Sequence, residues 1–278
     1  MPPEPRLAIV ATVQQAISSL LTTYEPEFLQ FGHSLFVAFA TILIVWQGVR
    51  TMLSNDSLGD HMFGFARLLL FISFGYAIVA FYASPIPGIG VSFSNLITDQ
   101  THNFANILDA RSLELTFDHF DELEQHFVQP DTWAILANLL YWLLLIVITI
   151  AKVLSLAIVA FGLIACAVCA LLGPIFVPFL IVPKLDWLFW SWFKAFVQYS
   201  FIPVVALAFL MIFERFVFQY LTTLPPGITE DLYMVYGLQA IVVIGVFCLG
   251  IFLIPSLTSS IFSGRGGESV LPDRFVRF

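Results

Sequence analysis

The sequence predicts an all-α, polytopic integral membrane protein, and three observations carry this prediction. Apolar residues make up 59% of the 278 residues and charged residues only 11%, and the mean hydropathy is +0.93. The stretch from residue 134 to 182 contains a single charge, at Lys152. Its apolar residues run continuously over far more than the roughly ten residues of an alternating barrel strand, so helices are expected to span the membrane.

About five segments are expected to cross the bilayer, since a transmembrane helix needs about 20 predominantly apolar residues. They are residues 33–53, 63–83, one crossing within 134–182, 195–218 and 236–257. The predicted organisation is an N-terminal amphipathic extracytoplasmic segment (1–32), a hairpin of two spans (33–83), an acidic extracytoplasmic helical loop (84–133), a C-terminal membrane region (134–258) and a cytoplasmic tail (259–278).

The positions of the basic residues predict the orientation, because short loops rich in Lys and Arg stay on the cytoplasmic side. The basic residues beside short turns or in the tail are Arg50, Arg67, Lys184, Lys194, Arg265, Arg274 and Arg277. The connection 84–133, by contrast, is strongly acidic. We therefore expect a multi-pass membrane protein with its N-terminus outside and its C-terminus in the cytoplasm.

The long apolar stretch 134–182 must cross the membrane an odd number of times in this arrangement. As one helix, residues 134–172 would be about 58 Å long, nearly twice the thickness of the hydrocarbon core. We predict a long helix that projects from the membrane or kinks near Lys152, followed by a broken or re-entrant segment, 173–183. A rival arrangement has six crossings, with a turn at Lys152.

Two segments outside the spans have helical apolar patterns. Residues 7–23 are expected to lie along the outer membrane interface. In the acidic loop, apolar residues at helical spacing predict a face that binds a partner; its residues are Phe93, Leu96, Ile97, Phe104, Phe117, Phe120 and Phe127. The alternative is that this face packs on the protein's own membrane region.

Lys152 is the candidate membrane-embedded polar site, because an ionisable group within a span is costly and often marks a pathway. Its alternative role is structural, with the side chain extending along lipid to the outer interface. The sequence contains no nucleophile elbow and no phosphate-binding loop. We therefore expect no enzyme activity and no catalytic, cofactor-binding or metal site.

A Gly/Pro-rich block and a Trp-rich turn follow each other near the middle of the C-terminal region. The block reads LGPIFVPF at residues 172–179 and is followed by Pro183 and by WSWFKAF at residues 190–196. This pattern resembles the TrbL-like family, the polytopic inner-membrane subunits of type IV secretion and conjugation systems. The Trp residues beside Lys184 and Lys194 further predict an interfacial segment, 184–194, at the inner leaflet.

The resemblance implies a location in the bacterial inner membrane and a homo-oligomeric ring that acts as a channel and assembly subunit, helping substrate passage and pilus assembly. Its implied partners are a pilus-tip or minor pilin subunit, the secretion ATPases, and substrate DNA or protein. The residues expected to shape the ring are Gly173, Pro174, Pro178, Pro183, Trp187, Trp190 and Trp192. The net charge of −8 offers no broad basic surface for DNA.

A stand-alone transporter of a small solute is the alternative function. Transporters of this kind are built from repeats, with broken helices in corresponding halves. Only one broken segment is expected in this chain, with no counterpart in residues 33–83, which favours the secretion subunit.

Overall fold

The computed structural model describes residues 5–53, 58–96, 111–131, 133–225 and 227–263. These residues form helices and no β-strand, which confirms the all-α prediction. The long helices are α1 (Pro5–Leu53), α2 (Leu58–Ala80), α3 (Arg111–His126), α4 (Ile135–Phe176), α5 (Asp186–Leu221) and α6 (Leu238–Ser263). A 3₁₀ turn, Val177–Ile181, follows α4, and a 3₁₀ turn, Glu230–Leu232, and a π-helical turn, Tyr233–Gly237, precede α6.

Five helical stretches among the described residues are long and apolar enough to cross a membrane, as the sequence predicted. They are Thr12–Leu53, His61–Ala80, Ile135–Ile181, Asp186–Leu221 and Tyr233–Phe262. The six-crossing arrangement needed a turn at Lys152, and it is wrong because α4 continues through that residue without interruption. Uniformly apolar sequence on both sides of Lys152 supplies neither a glycine nor a proline that would end the helix there.

Several helices are longer than the predicted spans. The described part of segment 1–32 continues into the first span as one helix of 49 residues. The serine and threonine hydroxyls in this part donate to carbonyls one turn earlier, as Thr23 does to Ser19 at 2.8 Å, so these polar residues are compatible with helix. In the same way, the Trp-rich segment from Asp186 onward is the first part of α5 and has no break before the predicted span.

The predicted broken segment, 173–183, needs correction at its first residues. The α-helix continues through Gly173 and Pro174 and ends at Phe176. The 3₁₀ turn follows, and the chain then reverses direction at Lys184, whose φ of 73° is in the left-handed region. A proline removes only one helical hydrogen bond, and the carbonyl that Pro174 leaves without a donor has another partner, described below.

The described chain divides into two compact units. The first, here called the Gly/Pro unit, contains the described residues of Thr12–Gln100 and Ile164–Ser200. The second, here called the α3 unit, contains those of Met1–Ala11, Thr101–Leu163 and Phe201–Phe278. Helices α4 and α5 contribute residues to both units.

Each unit has its own aromatic core. In the Gly/Pro unit the buried residues are Phe36, Val79, Tyr82, Cys166, Val177, Leu180, Ile181, Phe189, Trp192 and Phe196. In the α3 unit, Phe120 contacts Phe213 and Phe247, whose rings are stacked with centroids 4.0 Å apart. The two cores therefore fix different parts of α4 and α5.

Candidate functional site

Pro174 leaves one backbone carbonyl of α4 without its usual donor. In an α-helix the N–H of residue i donates to the carbonyl of residue i−4, so the missing N–H belongs to the bond with Ala170. The hydroxyl of Tyr82, just beyond the end of α2, donates to the Ala170 carbonyl at 2.5 Å. Burial raises the pKa of the Tyr82 hydroxyl above its ordinary value, which keeps this group a protonated donor.

The preceding carbonyl, that of Cys169, is contacted from α5. The indole N–H of Trp192 donates to it at 2.9 Å. A carbonyl oxygen has two lone pairs, so this bond is compatible with the helical bond from Gly173. The Trp192 ring is also stacked on Phe196, with ring centroids 5.6 Å apart. Two aromatic side chains, one after α2 and one on α5, therefore hold the last turns of α4.

Gly173 provides the space that these two side chains occupy. A Cβ atom at this position would overlap the Tyr82 hydroxyl and lie 2.7 Å from Cζ2 of Trp192. Real Cβ atoms do not make contacts this short, so any larger residue must displace one of the two rings. Pro174 thus leaves the Ala170 carbonyl without a helical donor, and Gly173 leaves the space through which the Tyr82 hydroxyl reaches it.

Glycines on α1 and α2 allow the same close approach from the other side. A Cβ atom at Gly32 would overlap the Pro174 carbonyl, which has no helical donor because residue 178 is also a proline. A Cβ atom at Gly75 would lie 2.7 Å from Cγ2 of Ile181. We use the name Gly/Pro site for Gly173, Pro174 and Pro178 together with their partners Gly32, Gly75, Tyr82 and Trp192.

The irregular backbone of the Gly/Pro site is covered by the chain itself. Val177, Leu180 and Ile181 of the 3₁₀ turn are all buried in the core of the unit. Non-helical backbone at membrane depth is tolerated only where protein or water covers it. Here α1, α2 and α5 provide that cover, so this turn does not require a second copy to shield it.

The seven residues predicted to shape a ring are thereby divided into two sets. Gly173, Pro174, Pro178 and Trp192 meet in the Gly/Pro site. Pro183, Trp187 and Trp190 are exposed at the turn and on the first part of α5. Trp192 is only 6% exposed and belongs to the core, because it lies on the helix face opposite to the other two tryptophans.

Lys152 is paired, and its partners come from the acidic loop. Its ammonium contacts the carboxylate of Asp121 and lies 3.8 Å from that of Glu124, both on α3. The side chains of all three residues are only partly exposed. The single charge of the long apolar stretch is therefore neutralised within the α3 unit.

Three of the described residues of the predicted partner-binding face are buried within the chain. Phe117, Phe120 and Phe127 pack inside the α3 unit, and Phe120 is completely buried. Phe93 contacts the rings of Tyr82 and Phe193 in the Gly/Pro unit, and Leu96 is half-buried. Ile97 and Phe104 lie outside the described residues. An apolar helical face indicates that something covers it, and here neighbouring helices do.

The connection between α5 and α6, residues 222–237, is joined to the end of α3. The N–H of Ile228 donates to the carbonyl of His126 at 2.8 Å, and the Tyr233 hydroxyl donates to the carbonyl of Val128. On α3 itself, Nδ1 of His119 lies 3.5 Å from the Glu214 carboxylate of α5. The described residues of this connection thus contact the end of α3 within the α3 unit.

Sequence reasoning identified Gly173, Pro174 and Trp192 but missed Tyr82, Gly32 and Gly75. The two glycines had a signal, since small residues within spans often mark close helix contacts. Tyr82 had none, because a tyrosine at the end of a span is ordinarily an interfacial anchor.

The fold and the site define a class: a polytopic helical membrane protein with a Gly–Pro helix end held by aromatic donors. Within this class, the chain belongs to the TrbL/VirB6 family, since the family model described as TrbL/VirB6 plasmid conjugal transfer protein matches residues 40–254. This match covers the Gly/Pro site apart from Gly32, and it covers Lys152 and α3. The family makes the chain a component of conjugal transfer by type IV secretion. No curated protein sequence matches the chain significantly.

Proposed function

We propose that this chain is an oligomeric inner-membrane subunit of a type IV secretion machine, where it helps substrate passage and pilus assembly. Membership of the TrbL/VirB6 plasmid conjugal transfer family carries the proposal. The role is structural rather than enzymatic: the helix end at Gly173 and Pro174 sets the shape of the membrane region, and other components supply energy.

The charge distribution supports an orientation with α3 on the periplasmic side and the basic turns in the cytoplasm. From Lys152 to the end of α4 there are about 25 residues, or about 37 Å of helix, which is enough to cross the hydrocarbon core. The Lys152 ion pairs with α3 can therefore lie at the outer interface. This orientation places the N-terminus outside and the C-terminal tail in the cytoplasm.

The exposure of α1 and α2 supports assembly into a ring. Only 11% of the most apolar window of α1 and 17% of that of α2 are buried within the chain. These faces are available to lipid and to neighbouring copies. Association in a ring would bury part of them, whereas the Gly/Pro site is already complete in one chain.

The periplasmic partner proposed for this subunit is a pilus-tip or minor pilin protein, and the cytoplasmic partners are the secretion ATPases. Since Phe117, Phe120 and Phe127 are buried, such a periplasmic partner would contact the outward face of α3, where Leu115, Asp118 and Glu122 are exposed. Substrate DNA or protein would pass along the assembly, although the acidic chain offers little charge for direct contact with DNA.

Extraction of the protein into lipid nanodiscs, followed by mass measurement, tests this proposal. We expect a closed ring of copies that carries other secretion components when it is isolated from cells with the complete system. The matched control is isolation from cells that lack those components, where the ring alone is expected. A monomer that moves a small solute into vesicles would overturn the proposal in favour of a transporter.

A further inference from the structure

The first three turns of α5 carry two opposite faces. Trp187, Trp190 and Lys194 are spaced by three and four residues and therefore lie on one face. On the opposite face, Phe189, Trp192 and Phe196 are buried in the core. By contrast, Trp187 and Trp190 are 58% and 54% exposed. This exposed face is left uncovered by the rest of the described chain.

The chain on either side of this face indicates its location. One candidate membrane-crossing helix ends at Ile181 and the next begins at Asp186, so the four residues between them form the turn that joins two such helices. Trp187 and Trp190 are within the first two turns after that reversal. Indole side chains at such a depth are characteristic of the lipid headgroup region, where one edge is apolar and the N–H finds an acceptor.

Two lysines flank the exposed indoles. Lys184 is exposed at the tip of the turn, and its left-handed backbone places it between the two helices. Lys194 is exposed one turn beyond Trp190, about 6 Å further along the helix axis, and its aliphatic stem allows the ammonium to extend back toward the headgroups. Asp186 is the one acidic residue among residues 183–194, so the turn is positive although the whole chain has a net charge of −8.

We propose that Lys184, Trp187, Trp190 and Lys194 form a binding surface for anionic phospholipid headgroups. The two ammonium groups and the indole N–H groups are donors, and the phosphate and glycerol oxygens of an anionic lipid are acceptors. A zwitterionic lipid carries its own positive group next to the phosphate, which offsets the attraction of the lysines. With the orientation proposed above, this surface lies in the cytoplasmic leaflet, but headgroup selection does not depend on that orientation.

Quenching of tryptophan fluorescence by brominated lipids tests this proposal. The full chain, with Trp46, Trp133 and Trp142 replaced by phenylalanine, is placed in vesicles of mixed phosphatidylglycerol and phosphatidylcholine. In one set the phosphatidylglycerol carries bromine, and in the other an equal mole fraction of phosphatidylcholine does. We expect quenching by the anionic lipid to be stronger by about five-fold or more, because each of the two lysines contributes about 1 kcal/mol of attraction to an anionic surface, a factor of about five.

The matched variants separate charge from packing. Lys184→Gln with Lys194→Gln should make quenching by the two lipids equal, whereas Lys184→Arg with Lys194→Arg should keep the preference. Adding Trp187→Phe and Trp190→Phe leaves only Trp192, whose quenching should be weak and independent of headgroup. Equal quenching in the starting protein, or a preference that survives the glutamine substitutions, would overturn the proposal. If the double glutamine variant fails to fold, the single Lys184→Gln change at the exposed turn gives the same test with a smaller loss of preference.

Discussion

At the scale of single residues, the Gly/Pro site shows how a helix continues through a proline. Pro174 removes the donor for the Ala170 carbonyl, and Tyr82 replaces it with a hydroxyl. Gly173 leaves space for that hydroxyl, since a Cβ atom added at this position would overlap it. Gly173 and Pro174 therefore act together, because the Tyr82 hydroxyl needs both the free Ala170 carbonyl and the space to reach it.

The substitution Gly173→Ala is expected to destabilise the protein by about 1–3 kcal/mol, the usual effect of inserting a methyl group into a packed core. The new Cβ must displace Tyr82 or Trp192 and weaken the bonds to Ala170 and Cys169. Thermal unfolding of the purified protein in detergent measures this effect. The matched control is Gly245→Ala on α6, where a Cβ meets no atom within 4 Å; a control as unstable as Gly173→Ala would contradict the packing argument.

The substitution Tyr82→Phe tests the hydrogen bond separately from the space. It keeps the ring but leaves the Ala170 carbonyl buried and without a donor, which should cost about 1–3 kcal/mol. In a Pro174→Ala background the loss should be smaller by about 1 kcal/mol or more, because alanine supplies the missing helical N–H.

A double-mutant cycle on unfolding free energies measures this coupling. Tyr76→Phe is the matched control: Tyr76 is on α2 and contacts His33 and Phe36 through its ring, so its hydroxyl should contribute little. Equal losses for Tyr82→Phe in both backgrounds would show that the hydroxyl does not compensate for the proline.

Sequence reasoning could predict half of this arrangement. Gly173 and Pro174 are recognisable because their effect on the backbone is local and intrinsic to the residue type. Tyr82 is 88 residues away from its acceptor, and only the packing of α2 against the end of α4 brings the two together. The donor therefore could not be found without the tertiary structure.

At the scale of elements, α3 is a helix whose position is set by both its faces. Its apolar residues fill the core of the α3 unit, and its acidic residues pair with Lys152. The sequence pattern predicted the helical face correctly but not what covers it. A membrane, a partner or the chain's own helices would all select the same apolar spacing, so periodicity alone cannot distinguish them.

The substitution Lys152→Gln is expected to loosen α3, because it removes the positive partner of Asp121 and Glu124. For a partly exposed ion pair the expected loss is about 1 kcal/mol, which corresponds to about five-fold faster amide hydrogen exchange if α3 exchanges by local opening. Exchange measured by mass spectrometry on peptides from residues 113–127 gives this quantity directly.

Lys152→Arg is the matched control and should leave exchange in α3 close to that of the unsubstituted protein. Peptides from the Gly/Pro unit provide the internal reference, since their exchange should change in neither variant. If Lys152→Gln and Lys152→Arg give the same rates in α3, the charge at this position does not hold the helix.

At the scale of the whole molecule, crossing of the membrane by all five candidate helices would place residues 12 and 262 on opposite sides. The number of spans was predictable because it depends only on the length and hydropathy of each run. The continuity of α1 and α5 was not predictable, because the predicted boundaries were placed where the composition becomes polar. In α1 the serine and threonine hydroxyls donate to carbonyls of the same helix, so the helix continues through these polar residues.

Reporter fusions at both ends of the chain test this topology. An enzyme that is active only in the periplasm should be active when joined before residue 5, and one that is active only in the cytoplasm should be active when joined after residue 263. The positions of the basic turns set the direction of this result. Both ends on the same side would require an even number of crossings, and one of the five apolar helices would then not cross.

Measurement of conjugation gives the last test, because a conjugal transfer protein is expected to act in the donor cell and not in the recipient. Gly173→Ala introduced in donor cells should lower transfer several-fold, since a loss of 1–2 kcal/mol can change protein abundance by that factor. The same change in recipients, where transfer machinery is not required, should have no effect. Transfer is then divided by the amount of protein in the membrane, with Gly245→Ala as the control for an added methyl group. A frequency that falls only in proportion to abundance would restrict the Gly/Pro site to folding, whereas a larger fall shows that the geometry of this helix end is needed for transfer.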